Sequence, residues 1–206
     1  MPLVTLSAAY GAGGSYVGPR LADRLGVQFI DRAIPSEVAR RLAVPFAEAA
    51  RRDESVGTAF ERFVRMFAPV GVVYGARPIV DPDVLDEQSY RLATEQVIRE
   101  EAARHGGVIL GRAGALVLAG NPEALHVRLF GPPELRAEQA MRIEGISHDE
   151  AERRLAENDR AREAYVRHFY NADPTELRHY HLALDSTAVD LDACVDLIAQ
   201  AAEAHR

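Results

Sequence analysis

Three glycines in four residues, Gly11-Ala12-Gly13-Gly14, stand between a short apolar run and a helical pattern. The run is Leu3-Val4-Thr5-Leu6. The pattern places Val17, Leu21 and Leu25 at i, i+4 and i+8, one face of a helix. Gly26 is suited to stop it. Val27-Gln28-Phe29-Ile30 reads as a second strand ending at Asp31. A strand–loop–helix–strand unit of this length suits a right-handed crossover between parallel strands.

The rest of the chain repeats that alternation. Residues 36–80 are interrupted by Pro45, Gly57, Pro69, Gly71, Gly75 and Pro78 and read as a helical insert with loops. Asp81-Pro82 fits an N-cap and first-turn proline. The helix it opens runs to Arg104, with Tyr90, Ala93 and Val97 on one face, and Gly106-Gly107 ends it. Val108-Ile109-Leu110 is a fully apolar strand followed by Gly111-Arg112. A helix over about 113–118, a strand over Leu125–Phe130 and a helix opening at Pro132-Pro133-Glu134 come next. Ser147 and Glu150 have capping-box spacing. Tyr180–Leu184 is the last strand, and Asp190 caps a final helix whose buried face is Cys194, Leu197, Ile198 and Ala201. Five strands separated by helices predict one α/β domain, a three-layer α/β/α sandwich on a mostly parallel sheet. Ligands of such sheets sit beyond the C-terminal strand ends. Those ends carry the glycine loop, Asp31, Gly111-Arg112 and Asp185.

Composition narrows the chemistry. All 24 basic residues among the 206 are Arg, and the formal net charge is −7. No basic surface for nonspecific duplex binding is expected, so nucleic acid is a poor first partner. Any phosphate must be held by Arg, backbone N–H groups or metal, because no Lys ammonium exists. No apolar run approaches the roughly 20 residues of a membrane-spanning helix. Met1-Pro2-Leu3-Val4 lacks the basic start and apolar stretch of a secretory signal. A lone cysteine, Cys194, cannot form an internal disulfide, which suits a reducing cytoplasm.

The glycine loop carries the strongest chemical signal. Its N–H groups can point at an anion, with the positive helix end behind them. The dinucleotide fingerprint fits poorly, since Tyr16 stands where its third glycine belongs. The usual phosphate-loop pattern also departs: Gly14 occupies the Lys position and Tyr16 the metal-binding hydroxyl position. Ser15 is one residue early but can help. A tight turn with no ligand fits the same local pattern. Asp31 suits a metal-bound water or substrate hydroxyl, and suits an N-cap equally. Arg112 suits a bidentate phosphate clamp, with a surface salt bridge as the alternative. Asp159-Arg160-Ala161-Arg162 offers an arginine pair able to close on transferring phosphates. Its flanking Arg153 and Arg154 read as a solvated face with i,i+4 pairs. His179 and His181 share a face if both lie in a strand, but no third metal ligand is spaced to match. No protein metal site is expected.

Several stretches resemble the cytidylate kinase-like family of P-loop proteins. They are Val4-Thr5-Leu6-Ser7 through Gly14, Leu21 to Gly26 and Phe29-Ile30-Asp31-Arg32. Val108 to Arg112, then Asp159, Arg162 and Tyr165, and His181 to Thr187 follow in the family's order. The resemblance implies a nucleoside monophosphate kinase fold, P-loop NTPase-like, spanning 1–206. In it, about 36–80 is an acceptor-side insert and about 147–178 a lid. It implies ATP and Mg²⁺, with Gly11, Ala12, Gly13, Gly14, Ser15 and Tyr16 at the donor phosphates. Asp31 and Arg112 fall on the acceptor side, Arg160 and Arg162 in the lid, and Asp185 near the lid and donor base. The implied reaction is ATP-dependent phosphoryl transfer to a CMP-like or dCMP-like monophosphate.

The departures concern charge. Relatives usually carry Arg-Glu where Ala8-Ala9 and Ser15-Tyr16 stand, and Asp where Ala113 stands. Each lost transition-state contact commonly costs about 3 kcal/mol. Two further readings therefore accompany the first: a catalytically impaired nucleotide-binding or regulatory protein, and a kinase for another small acceptor. The partners expected are a nucleotide donor and a small phosphate-bearing acceptor.

Overall fold

The computed structural model describes residues 1–30, 87–111 and 113–205. Asp31, Arg112 and the insert at 36–80 lie outside the described residues, as does the Asp81-Pro82 start of the helix. The strands are β1 (Leu3–Ala8), β2 (Phe29–Ile30), β3 (Gly107–Leu110), β4 (Ala124–Phe130) and β5 (Leu182–Asp185). They form one sheet in the order β2-β3-β1-β4-β5. Every pairing is parallel: β1 sets Leu3 beside Gly107 on one side and beside Ala124 on the other. The described helices are α1 (Gly14–Leu25), α2 (Glu87–His105), α3 (Gly114–Val117), α4 (Pro133–Glu144), α5 (His148–Tyr170) and α6 (Leu191–Ala204).

Two cores follow from strand alternation. Val4 and Leu6 of β1, with Val127 and Leu129 of β4, meet Val17 and Leu21 of α1 and Cys194 and Ile198 of α6. Leu3, Ile109 and Ala124 point the other way, onto Val97 and Ile98 of α2 and Val117 beyond. Helices on both faces of a parallel sheet make the expected three layers.

Local signals place the helix ends. Gly26 closes α1 with φ 66°, its N–H donating to Ala22 and Asp23 carbonyls. Ser147 caps α5 by accepting the Glu150 N–H, and Asp190 caps α6 by accepting from Asp192 and Ala193. The buried face of α6 differs from expectation by a rotation. It is Cys194, Val195, Ile198, Ala199 and Ala202, while Leu197 is 44% exposed. A helix turning 100° per residue puts Leu197 at the edge of that stripe. The expected histidine strand face is also absent, because His179 ends a 3-10 turn (Leu177–His179) and His181 precedes β5. His181 instead stacks between His126 and His205, at 4.9 and 5.0 Å. No described helix is long and apolar enough to cross a membrane.

Candidate active site

The glycine loop joins β1 to α1 at the centre of the sheet, where the strand ends converge. Gly11 and Gly13 adopt φ 74° and 76°, a left-handed region that side chains with a Cβ avoid. A Cβ on Gly11 would also run into the Arg136 carbonyl of α4, and one on Gly13 would sit 2.6 Å from Leu191 of α6.

Side chains from distant segments hold the loop's carbonyls. Arg136 Nη1 donates to Tyr10 O at 2.8 Å, Gln139 Nε2 to Gly11 O at 2.9 Å and Ser186 Oγ to Ala12 O at 2.8 Å. Three successive carbonyls are thereby turned outward. The N–H groups of Gly13, Gly14 and Ser15 have no acceptor among the described residues. That is the polarity an anion requires of a loop at a helix N-terminus.

Charges are arranged around the loop's flank. Arg136 is 6% exposed. It pairs with Asp159 of α5 at 2.8 Å and donates from Nε to Gly131 O. Asp159 also accepts the Tyr10 N–H at 3.1 Å. Arg162 donates to the Ala8 carbonyl at 2.6 Å, so α5 is docked on the loop's entrance. The Tyr10 hydroxyl donates to Glu144. Burial and then the Glu144 carboxylate push Tyr10 up to about 12, so it stays neutral.

Beside the loop, on the α3 and α5 side of the sheet, lies a cavity of about 610 Å³. Its lining includes Ser7, Ala8 and Ala9 below, Arg128 and Arg136 at one side, and Arg162 and Tyr165 above. Cavities of this size suit a small molecule.

The expected site residues separate in space. Gly11 to Ser15 form the loop, and Arg162 reaches its entrance. Asp185 ends β5, where the Thr187 hydroxyl and then backbone N–H groups hold its carboxyl below the usual range. The adjacent Ser186 touches the loop. Arg160 is exposed on α5, since two positions on a helix turn it about 200° from Arg162. Tyr16 points away, its hydroxyl on Asp192 at 3.1 Å and Arg20 stacked 3.5 Å over its ring. Cys194 is fully buried, which pushes its thiol up. Arg136 and Gln139 were not readable as site residues. Both are polar groups on the buried face of α4, and nothing local tells which face of α4 meets a loop 126 to 128 residues away.

The family model described as the cytidylate kinase-like family matches residues 3–188. The chain belongs to the cytidylate kinase-like family. The Methanopyrus kandleri cytidylate kinase is 38% identical over 98 residues, 43% of this chain and 51% of that one. The Ignicoccus hospitalis cytidylate kinase is 26% identical over 198 residues, 96% and 97% of the two chains. A Corynebacterium glutamicum uronate isomerase is 33% identical over 100 residues, but only 19% of its length is matched. The matched stretch thus spans about half of the Methanopyrus kandleri protein and about a fifth of the Corynebacterium glutamicum one. The crystal structure of a Bacteroides thetaiotaomicron shikimate kinase superposes with a TM-score of 0.53 at 14% identity, covering 98% of each chain. That likeness supports the fold.

Proposed function

We propose that this chain transfers the γ-phosphoryl group of ATP to a nucleoside monophosphate, with CMP or dCMP as the acceptor type. An acceptor phosphate oxygen bonds to the γ-phosphorus as the bond to the β,γ-bridging oxygen breaks, leaving ADP and a nucleoside diphosphate. The observation that carries this reading is the loop's polarity. Carbonyls 10–12 are tied back by three side chains and amides 13–15 are left available. That donor set fits the phosphates of ATP without a Lys. Among the described residues no cluster of three or more His, Cys, Asp or Glu is placed to hold a metal. Mg²⁺ would be held in part by the nucleotide's own oxygens, as this ion commonly is, and Ser15 would be the loop's hydroxyl toward it.

In this reading the chain is a single domain with an acceptor-side insert at about 36–80 and a lid at about 147–178. Arg162 neutralises charge at the reacting phosphoryl, Arg160 joins it on lid movement, and Arg112 with Asp31 orients the acceptor. Asp185 lies toward the donor base. Positioning and charge neutralisation supply most of the acceleration in such transfers. A reducing cytoplasm suits the single buried thiol.

A second reading has its own support. Ala8, Ala9 and Gly14 leave the phosphate end short of charge, and Tyr16 is engaged elsewhere. It makes the chain a nucleotide-binding protein without turnover. ³¹P NMR with Mg·ATP and a panel of monophosphates decides between them. New ADP and nucleoside diphosphate resonances above a no-enzyme blank are expected. Unchanged spectra together with a nucleotide-dependent rise in melting temperature establish the second reading instead.

A further inference from the structure

Side chains on β4 alternate between the two faces of the sheet. Val127 and Leu129 enter the core beneath α1 and α6, so His126 and Arg128 point to the α5 side. His126 is 4% exposed and bonded to Thr5 at 2.8 Å. Arg128, the next residue outward, sits in register with Ser7 of β1 and lines the cavity.

Its surroundings fix the guanidinium without neutralising it. Nη1 donates to Pro174 O at 2.5 Å and lies 3.5 Å from the Tyr180 hydroxyl. That hydroxyl donates to Pro174 O at 2.8 Å and stands 3.4 Å from Ser7 Oγ. The Tyr180 ring lies 5.5 Å from the guanidinium carbon. A guanidinium carries five N–H donors, and these contacts occupy one nitrogen. Among the described residues, no carboxylate lies within ion-pair distance of Arg128. Arg136, on the same cavity, pairs with Asp159. Of the cavity's carboxylates, Asp159 is taken by Arg136 and Glu163 lies beside Arg167 at 4.0 Å, so a half-buried cation held in place with neither at ion-pair distance suits an anion.

We propose that Arg128 binds the phosphate of the acceptor monophosphate, replacing charge that this chain lacks at Ala8 and Ala9, which line the same cavity. Arg128 anchors the acceptor rather than the donor, because the cavity lies beside the glycine loop and none of Gly11 to Tyr16 lines it. The inference rests on the cavity being the acceptor site, as the proposed function has it. A guanidinium at this depth also favours a phosphate over an uncharged nucleoside, since leaving the cation unpaired on closure is costly.

Calorimetry on the full chain tests this, with CMP, cytidine and inorganic phosphate as probes and the loop filled with Mg²⁺ and a non-hydrolysable ATP analogue. Arg128→Gln is expected to weaken CMP binding at least tenfold. It should leave cytidine and the ATP analogue within twofold of the parent. Arg128→Lys is expected to recover part of the loss and keeps the test open if Arg128→Gln folds poorly. Equal CMP affinity in parent and Arg128→Gln overturns the proposal. So does parallel loss of CMP and cytidine, which marks a packing role through Pro174 and Tyr180. If the parent binds no CMP, the acceptor assignment fails by itself. Inorganic phosphate then reads Arg128 directly, and its binding unchanged by Arg128→Gln, or absent from the parent, overturns the proposal too.

Discussion

Replacing Arg136 by Met tests whether α4 and α5 set the shape of the glycine loop. Met keeps an apolar stem in a nearly buried position and removes only the guanidinium. Three contacts vanish: to Tyr10 O at 2.8 Å, to Gly131 O at 2.9 Å and to Asp159 at 2.8 Å. Removing one partner of a fully buried pair costs about 3–5 kcal/mol. The Asp159 side chain is 31% exposed, so water and the Tyr10 N–H relieve part of this, leaving about 2 kcal/mol. Two carbonyls losing a donor add about 1 kcal/mol together, since water replaces part of what each loses. The total is about 3 kcal/mol. For a chain of this length that lowers the melting temperature by roughly 6–12 °C. Urea denaturation gives the free energy, and titration with an ATP analogue gives the loop's response, expected as a weaker Kd. Asp159→Asn should cost less, because the amide oxygen still accepts the Tyr10 N–H. The two substitutions should be non-additive. A loss below about 1 kcal/mol for Arg136→Met, or strict additivity with Asp159→Asn, refutes the argument that this pair fixes the loop.

Gly13→Ala combines a left-handed φ with a Cβ against Leu191, so it should destabilise by about 2–4 kcal/mol and weaken nucleotide binding, read by denaturation and calorimetry. Asp190→Ala removes the cap of α6 and should cost about 1 kcal/mol in urea. Burial, then the neighbouring His181 and His205, hold His126 near 4, well below its ordinary value. The unfolded chain therefore binds the proton first as pH falls, and stability drops from about pH 6.5 toward 4 by up to about 1.4 kcal/mol per unit. His126→Asn should flatten that slope in pH-dependent denaturation. The Cys194 thiol is buried and its pKa raised, so it should resist a thiol reagent in the folded protein and react at the rate of global opening.

The strand order was not readable in the sequence, yet five strands and their parallel sense were. Val108-Ile109-Leu110 announced burial on both faces by being apolar at every position, as central parallel strands require. The ends of α1, α5 and α6 were legible because caps are local: Gly26, Ser147 and Asp190 act on atoms within four residues. The sequence puts Leu197 on the buried face because α6 is apolar over more than one stripe, and only the neighbouring α1 decides which side is covered. The glycines mark the loop between β1 and α1 in the sequence, but what shapes that loop does not show there. Arg136, Gln139 and Ser186 act on carbonyls more than 120 residues away, and an Arg on a helix looks the same whether it caps a loop or faces water. Arg128 was hidden for a related reason: alternation on β4 gives its face, but only the sheet order puts Ser7 beside it.

β1 is translated before both strands that pair with it and finishes in the middle of the sheet. Its neighbours, from Gly107 and Ala124 onward, are translated roughly 100 residues later, which at ordinary elongation speeds is roughly 5–20 s. Throughout that interval Leu3, Val4 and Leu6 have no sheet to join and remain open to chaperones. The glycine loop waits longer still for its last side-chain contact, until Ser186 has been made.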